Sequence, residues 1–500
     1  MEEKELITKE QMMELFKETL AVDRVEEEDD FFVKGGNSIN AALLLYKIFV
    51  FTNVSLSLMD VIEHRTPLKL AALVNTRRDK INSVSFTSND GVFLAPYPQR
   101  HIWLSEKMDS AGANYIVTFK IPIKSEKEID YKKIEKSIFD TFENNTVYTV
   151  NIKLDKNEIK AFKSKMGIVI VNVLDEEFFS DDEVEEIVKK TILNIEDGIK
   201  GKVIIKLNEI LFLLHHIVVD QASIPLLWNE IIERYYDIHN ASCFNYFSCF
   251  ERNDELSEHY AEGLKFWKKE YEDFSFSSPK VNGYSDKEYD RHSILLPKKE
   301  IDGVKEKSKI AYLLLLFYLS LQECNLQNSD EFVIGIPYTN RTNAIQAGTQ
   351  GFFVNMMPAR LKLIGMSFEA QIKYLLDYLE KMSMYQDIPY EDIINGISFN
   401  DYKEKKEFLR FAFVYQSEMS LRSFDEGESI KMKEYHLGIP MFDMTIYIND
   451  TENFYEVMLE TNNMINNETI NFFFERFTSL YNNLSETQNL MLVDETINSI

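Results

Sequence analysis

The first 77 residues space their apolar positions as amphipathic helices do. The first predicted helix covers residues 11–22, and its apolar stripe consists of Met12, Leu15, Phe16 and Leu20. A second helix is predicted from residue 38 to about residue 49, after a Gly-Gly break. A last helix begins at Thr66-Pro67, because threonine caps helices and proline favours their first position. The pattern predicts a small all-α bundle of four helices.

Beyond this bundle the pattern changes from purely helical to alternating. Residues 78–92 are polar and rich in serine and asparagine, which predicts a flexible linker. Strands are then predicted at 115–123, 167–174, 203–207 and 210–218, and helices at 129–142, 181–193 and 225–236. Such alternation predicts a layered α/β domain. A polar region at 274–290 divides it into two predicted lobes, 93–275 and 276–485, and residues 486–500 are predicted to be a tail.

The net charge, the length of the apolar runs and the cysteine spacing argue against several classes of partner. The 500 residues carry a formal net charge of -27, which repels phosphate backbones and anionic membranes, so we expect neither nucleic acid nor a membrane as partner. No apolar run in the sequence reaches the roughly 18 residues that span a bilayer. Cys243, Cys249 and Cys324 lack metal-ligand spacing, so we expect reduced thiols in a cytoplasmic protein, and no metal.

Ser38 follows two glycines at a predicted helix start. Gly35 and Gly36 allow a tight turn that leaves Ser38 at the N-terminus of the helix. Unpaired backbone N–H groups and the positive end of the helix dipole favour an anion at such a position. A phosphodiester on the Ser38 hydroxyl fits this spacing, and so does a plain helix-capping serine.

The segment around this turn is similar to a known family. Residues 15–73 resemble the peptidyl carrier proteins of nonribosomal peptide synthetases, through Asp-Asp-Phe-Phe-x-x-Gly-Gly-x-Ser at residues 29–38 and the Thr-Pro helix start. The resemblance implies that Ser38 carries a 4′-phosphopantetheine arm, which a phosphopantetheinyl transferase attaches. Lys34 stands where the family usually has leucine, which leaves the attachment chemistry intact and bears on partner surfaces.

A second motif ends a predicted buried strand. Residues 211–220 have the sequence LFLLHHIVVD, so His215-His216 closes the strand and Asp220 follows four residues later. A histidine at a strand end beside a cleft can take a proton near neutral pH. A pair of hydrogen-bonded core histidines fits the same pattern.

The region around this motif resembles the condensation domains of the same synthetases. Residues 93–484 are similar to that family, whose fold is a two-lobed α/β relative of chloramphenicol acetyltransferase. Seven patches match in order: Gln99 with Trp103, His-His-x-x-x-Asp at 215–220, Phe266-Trp267, Gly335-Ile336-Pro337 with Arg341, Gly351 to Asn355, residues 386–391, and Phe442-Asp443. The two resemblances together imply a carrier bundle followed by a condensation domain.

The second resemblance implies roles for five residues. His216 is the group that either takes a proton from the attacking amine or positions that amine. His215 and Asp220 are mainly structural in the family, and the aspartate pairs with the motif arginine, which implies an Asp220–Arg341 ion pair. Asn355 is expected near the reaction centre, where it orients substrate. No covalent enzyme intermediate is needed, because the donor arrives as a thioester.

Three departures from the family pattern bear on activity. Gln221 replaces the glycine after the motif aspartate, which adds bulk beside the tunnel and removes a permissive backbone position. Residues 143–149 lack the His and the Arg of the family's Arg-His-Glu patch, and His101 replaces the usual arginine of the first motif. These changes leave His216 intact. They bear on which acceptor the domain uses and on whether it is fully active.

These features predict a carrier–condensation didomain of nonribosomal peptide biosynthesis, which makes antibiotics or other secondary metabolites. The thioester on the Ser38 arm is the predicted donor, and the acceptor amine is free or bound to a downstream carrier. The sequence has no adenylation motif, so we expect an adenylation domain or an upstream synthetase subunit to load the arm. Three alternatives stay open: a non-catalytic scaffold that recruits assembly-line partners, a free-standing acyltransferase that uses acyl-CoA, and an epimerisation domain.

Overall fold

Four helices form the N-terminal bundle. The computed structural model describes residues 6–20, 22, 24–34, 36, 38–77, 91–108, 115–238, 245–250, 258–280, 284–285, 287, 289–298, 306–425, 427–437 and 440–485. The helices of the bundle are α1 Lys9–Leu20, α2 Ser38–Thr52, α3 Leu58–Glu63 and α4 Pro67–Thr76. Thr66 caps α4 by accepting a hydrogen bond from the Lys69 N–H, and Pro67 takes the first helical position. The apolar stripes of the helices meet in one core around Phe16 and Phe31.

The first lobe is built on a mixed sheet covered by helices on both faces. Its elements are β1 Val92–Leu94, α5 Tyr97–Met108, β2 Ile116–Pro122, α6 Tyr131–Asn144, β3 Val150–Asp155, β4 Glu158–Lys163, β5 Ile168–Asn172, α7 Asp181–Lys190, β6 Gly201–Ile205, β7 Glu209–His215 and α8 Ser223–Tyr235. Strands β2, β7, β6 and β5 lie side by side, and β1, β4 and β3 form a smaller sheet. Helices α6 and α8 pack on one face of β7 and α7 on the other, which explains the continuous apolar run of this strand.

The second lobe is a six-stranded sheet with helices packed on its apolar face. Its elements are α9 Glu258–Glu270, β8 Tyr289–Pro297, α10 Glu306–Glu323, β9 Phe332–Tyr338, α11 Ala344–Ala347, β10 Asn355–Leu361, α12 Phe368–Met384, α13 Tyr390–Asn395, α14 Tyr402–Lys406, β11 Phe411–Ser417, β15 Met444–Asp450, β16 Phe454–Asn462 and α15 Asn467–Ser485. The strand order is β10-β9-β11-β15-β16-β8. Strand β11 runs parallel to both of its neighbours, and the other pairs are antiparallel.

A crossing segment of the second half of the chain completes the first lobe. Strands β12 Ser420–Arg422 and β13 Ser429–Lys431 form a hairpin whose Leu421 and Ile430 lie in the first-lobe core. Strand β14 Lys433–Tyr435 then pairs antiparallel with β2 as the edge of the first-lobe sheet. The chain therefore passes from the second lobe to the first and back between β11 and β15. The predicted lobe limits, 93–275 and 276–485, remain a prediction. They divide the chain at a single point and therefore do not describe this crossing.

The predicted fold class is confirmed by the all-α bundle and the α/β lobes. The strand predicted over 210–218 ends at His215, where the backbone enters a 3-10 turn over His216–Val218. Residues 78–90 of the predicted linker and residues 486–500 of the predicted tail lie outside the described residues. None of the helices described is long and apolar enough to cross a membrane.

Candidate functional site

Ser38 is the first residue of the 15-residue helix α2. Just before it, Gly36 packs so closely on Phe31 that a β-carbon at this position would lie less than 3.0 Å from the ring. The Gly36 N–H donates to the Phe31 carbonyl oxygen at 2.9 Å, which closes the turn. The first turn of α2 contains no acidic residue, so no side-chain charge there opposes an anion at the helix N-terminus.

His216 is half-buried in the 3-10 turn that follows β7. Its Nδ1 lies 2.9 Å from the Val219 carbonyl oxygen, which can only accept a hydrogen bond. In the neutral ring Nδ1 therefore carries the hydrogen, and Nε2 has the lone pair. Burial lowers the pKa of His216 below its usual range although the Val219 contact opposes the shift, so the neutral ring prevails at about pH 7.

His215 stabilises the backbone of the same turn. Its Nδ1 accepts a hydrogen bond from the Ile217 N–H at 3.1 Å, so the hydrogen of the neutral ring is on Nε2. Nε2 lies 3.5 Å from a carboxylate oxygen of Glu106 on α5, and the His215 side chain is only 1% exposed. These contacts hold the turn and leave His215 no face toward solvent.

Asp220 and Arg341 form a buried ion pair between the lobes. Nη2 of Arg341 lies 2.9 Å from a carboxylate oxygen of Asp220, and each side chain is 1% exposed. Asp220 also accepts hydrogen bonds from the N–H groups of Ser223, at 2.8 Å, and Phe353, at 2.9 Å. Arg341 donates through Nη1 to the Thr349 carbonyl oxygen at 2.6 Å. This network ties the histidine turn of one lobe to the β9–β10 loop of the other.

Asn355 begins β10 and is buried. Its amide nitrogen donates to the carbonyl oxygens of Gln386, at 2.8 Å, and Ile388, at 2.6 Å. The Gln386 side chain accepts in turn from the Asn340 N–H at 2.8 Å. Both amide hydrogens of Asn355 are thus used to hold the Gln386 loop, and its contact with a substrate stays a prediction.

Known protein families match both domains of the chain. The family model for the phosphopantetheine attachment site matches residues 10–74. The model for the condensation domain matches residues 90–499, well over half of the chain. The chain belongs to the condensation domain family. Both resemblances stated from the motifs are therefore confirmed, and the N-terminal bundle is a phosphopantetheine carrier.

Similar proteins include large synthetases. The chain is 21% identical to surfactin synthase subunit 1 of Bacillus subtilis (strain 168) over 93% of its own length, and 22% identical to the nonribosomal peptide synthetase TES of Alternaria alternata over 91%. It spans only 13% and 9% of the lengths of these two proteins. The matched part is therefore a small section of each relative.

Solved structures of other condensation domains share the fold of the condensation domain of this chain. The starter condensation domain of rhizomide synthetase RzmA superposes with a TM-score of 0.60 at 13% identity, covering 78% of this chain and 95% of that one. The first condensation domain of the calcium-dependent antibiotic synthetase gives 0.63 at 16%, covering 79% and 96%. At such low identity these likenesses concern the fold alone.

The surroundings of Ser38 fit an attached phosphopantetheine arm. Asp30 supports the preceding turn by accepting hydrogen bonds from the N–H groups of Phe32, at 2.9 Å, and Val33, at 3.0 Å. A cavity of about 130 Å³ with mainly apolar walls lies beside Gly36 and gives space next to the helix start. When bound, the arm supplies a flexible thiol that holds an acyl group as a thioester.

The three departures from the family pattern lie in the first lobe, and two of them contact the other lobe. Tyr148, in the patch that lacks the family's His and Arg, donates its hydroxyl to Oε1 of Gln350 at 3.0 Å. His101 lies 3.7 Å from a carboxylate oxygen of Glu391, and burial lowers the pKa of His101. Gln221 is half-buried in the turn before α8. Tyr148 and His101 thus take part in contacts between the lobes of the condensation domain.

Two residues of the site were missed by motif reasoning. The Ser223 hydroxyl lies 2.7 Å from the Asp220 carboxylate and accepts a hydrogen bond from the Gly351 N–H at 3.0 Å. Its position three residues after the aspartate, at a helix start, is a signal that could have found it. Tyr246 donates its hydroxyl to the Phe352 carbonyl oxygen and packs against Gly351, whose φ is 150°. Nothing in the local sequence marks Tyr246.

The two described thiols of the condensation domain, Cys249 and Cys324, are protonated groups and not nucleophiles. Burial raises the pKa of Cys249 to about 11 and that of Cys324 to about 12, so both stay protonated at neutral pH. Cys243 lies outside the described residues. In the part of the chain that the structure describes, no three His, Cys, Asp or Glu side chains are grouped so that they could hold a metal ion.

Proposed function

We propose that this chain transfers an acyl group from the arm on Ser38 to an amine, within an assembly line for nonribosomal peptides. The observation that carries the proposal is the tautomer of His216. Because its Nδ1 donates to the Val219 carbonyl oxygen, Nε2 presents a lone pair that can accept a hydrogen from an amine. The similarity to nonribosomal peptide synthetases supports the same chemistry.

The proposed reaction needs no enzyme nucleophile. The amine nitrogen attacks the thioester carbonyl carbon, so a C–N bond forms and the C–S bond breaks. His216 accepts the amine proton at Nε2 and passes it to the departing sulfur, or it holds the amine through that hydrogen bond while the sulfur takes the proton directly. The products are an amide and a free thiol, and atoms balance without any further reactant.

Four other residues support His216 in this proposal. His215 holds the Ile217 backbone of the turn, and the Asp220–Arg341 pair holds the turn against the opposite lobe. Asn355 fixes the Gln386 loop and acts as a positioning residue. Because the ion pair is buried, removal of either partner would leave an uncompensated charge.

Domain order supports a direction for the transfer. The carrier precedes the condensation domain in the chain, so we propose that Ser38 presents the donor and that a free amine or a downstream carrier presents the acceptor. The proposal requires a phosphopantetheinyl transferase and, for loading, an adenylation domain or an upstream synthetase subunit. Attachment of the arm consumes coenzyme A, so we propose that the protein works in the cytoplasm.

A single-turnover experiment tests the function and its direction. Ser38 is loaded with a labelled acyl group, and either a free amine or an aminoacyl carrier is added. We expect the label to leave Ser38 as an amide, and intact-mass analysis of protein and product detects it. If the label leaves only by hydrolysis, while an acyl group on a separate carrier moves onto an amine held at Ser38, the direction is the reverse.

A further inference from the structure

The crossing strand β14 places alternate side chains on opposite faces of the first-lobe sheet. Lys433 donates through Nζ to the carboxylate of Asp181 on α7 at 2.8 Å, and the Tyr435 hydroxyl donates to the same carboxylate at 2.8 Å. Side chains alternate along a strand, so Glu434 and His436 lie on the other face, away from α7.

The second lobe brings a polar face to these two residues. The ring centroids of His436 and Tyr447 lie 4.6 Å apart. Tyr447 stands on β15 between Ile446 and Ile448, which belong to the core of the second lobe, so its ring lies on the opposite face of that sheet. The Tyr447 hydroxyl lies 3.5 Å from Oε2 of Glu460 on β16. Glu434 and His436 therefore stand where the two lobes meet.

One carboxylate at this meeting point is neutralised and the other is not. Arg291 on β8 pairs with Glu460 at 2.6 Å. No residue in the described part of the chain pairs with Glu434 or donates a side-chain hydrogen bond to its carboxyl. Burial raises the pKa of Glu434 to about 7, although the side chain is only half-buried. A carboxyl on an open surface would keep its ordinary pKa, so Glu434 faces an enclosed space between the lobes.

The groups around Glu434 are neutral or already paired at neutral pH. Burial, with a contribution from Arg291, lowers the pKa of His436 to about 4. Burial, with the charges of Glu460 and Glu434, raises the pKa of Tyr447 well above its usual range. An unpaired carboxyl among neutral polar groups favours a cation or a strong hydrogen-bond donor as its partner. We call this group of residues the crossing-strand site: Glu434, His436, Tyr447, Glu460 and Arg291.

The crossing-strand site lies along the sheet from the histidine turn. Tyr435 is opposite Thr118 of β2, which is opposite Leu213 of β7, two residues before His215. Neighbouring strands are about 4.8 Å apart, so β14 lies about 10 Å from β7. Both strands are antiparallel to β2 and therefore run in the same direction, toward the histidine turn. A substrate that reacts at His216 can thus extend to the crossing-strand site.

We propose that the crossing-strand site binds the far end of a substrate that carries an amino or amidine group there, and that Glu434 is the residue that selects this group. The cation supplies the partner that Glu434 lacks, and His436 and Tyr447 offer neutral polar contacts beside it. The inference rests on the proposed function, because the occupant is a substrate of the transfer. The acyl donor and the acceptor amine both react at His216, so either one can carry the selected group.

A transfer experiment tests this selectivity with probes that differ in one terminal group. Ser38 is loaded with an aminooctanoyl group or with the equally long nonanoyl group, and one simple amine is the acceptor. In the second arm, diaminoheptane is compared with octylamine as the acceptor of an acetyl group. We expect the amino-terminated probe to react about tenfold faster than its apolar partner, because hydrogen bonds to charged groups are the strong ones. The arm that has the preference identifies which substrate reaches the site.

Two glutamine variants show whether Glu434 causes the preference. Glu434→Gln removes the charge at nearly constant size, so the ratio of the two rates should fall toward one. Glu428→Gln, at an exposed carboxyl of the same crossing segment, should keep the ratio. Each ratio compares two probes on one variant, so a general loss of activity does not change it. An absent preference in the unchanged chain, or the same preference in both variants, would overturn the proposal.

A calorimetric titration tests the site without any transfer reaction. Diaminoheptane is added to the chain with unmodified Ser38 at about pH 7, in two buffers of different ionisation heat, which gives the number of protons released. Because the pKa of Glu434 is raised to about 7, about half of these carboxyls are protonated and lose the proton when a cation binds. We expect release of up to about half a proton per ligand from the unchanged chain and from Glu428→Gln, and almost none from Glu434→Gln.

The two experiments separate the failures. If the unchanged chain forms no amide from any probe, but releases protons that Glu434→Gln does not release, the proposed function fails and the binding site stands. If the unchanged chain and Glu434→Gln release the same number of protons, the binding site is overturned even where transfer proceeds.

Discussion

Ser38 follows a sharp turn and His216 lies within one, and the two turns are held by different kinds of contact. The turn before Ser38 closes on Phe31, a neighbour in the sequence, through one backbone hydrogen bond and the packing of Gly36. The turn at His216 depends on Arg341, which lies 121 residues from Asp220 in the sequence and in the other lobe. A carrier can therefore move as a unit with its site intact, whereas the histidine site exists only when both lobes are assembled.

The largest expected effect concerns the local turn of the carrier, where replacing Ser38 should abolish attachment of the arm. Ser38→Ala removes the only proposed attachment oxygen, so we expect complete loss of arm attachment with coenzyme A and a broad-specificity phosphopantetheinyl transferase. Intact mass measures the added arm. Ser55→Ala, which changes another serine of the same carrier, should be modified normally. An arm gained by Ser38→Ala would refute the assignment.

Replacing His216 should stop the reaction without affecting the carrier. General acid–base or positioning groups contribute typically about 10²- to 10⁴-fold, so His216→Ala should slow amide formation by that factor while Ser38 loads normally. Single-turnover transfer from loaded Ser38 measures the rate. His292→Ala, on strand β8, serves as the matched control and should keep the rate. Undiminished product from His216→Ala would favour a scaffold function or another site.

Arg341→Ala should show how strongly the histidine turn depends on the opposite lobe. Removing one partner of a buried pair leaves an uncompensated charge, so we expect a loss of about 3–5 kcal/mol in the free energy of unfolding. Denaturant unfolding followed by circular dichroism measures it.

The control for this variant is an exposed pair. Lys133 and Asp237 lie 2.7 Å apart with side chains 38% and 73% exposed, so Lys133→Ala should change stability by less than about 1 kcal/mol. If Arg341→Ala and Lys133→Ala have the same unfolding midpoint, the ion pair does not hold the lobes.

The pH dependence of transfer gives the smallest effect. The neutral ring is the reactive form, and burial lowers the pKa of His216, so the contribution of His216 to the rate should fall as the pH drops through a value below about 6.5, where a free imidazole is half protonated. The acceptor amine must also be unprotonated, so each rate is divided by the unprotonated fraction of that amine. We expect this corrected transfer rate at about pH 6.5 to exceed half of its value at about pH 8. A midpoint at or above about pH 6.5 would contradict the neutral buried ring.

Several parts of this structure could be predicted because their signals are local. The capping of α4 by Thr66 and the apolar stripe of α1 follow from residue spacing. The position of Ser38 at a helix start follows from the Gly-Gly turn. The crossing strand β14 could not be predicted, because three residues that pair with a distant strand leave no periodic pattern.

The sequence by itself determined the carrier helices, the alternation of strands and helices, and the residue types at Ser38, His216 and Asp220. Only the tertiary structure decided which nitrogen of His216 is free and that Ser223 and Tyr246 complete the site. Helix stripes and turns depend on residues a few positions apart, so spacing reveals them. Tautomers and buried ion pairs depend on groups that chain folding brings together from distant segments, and no spacing records those contacts.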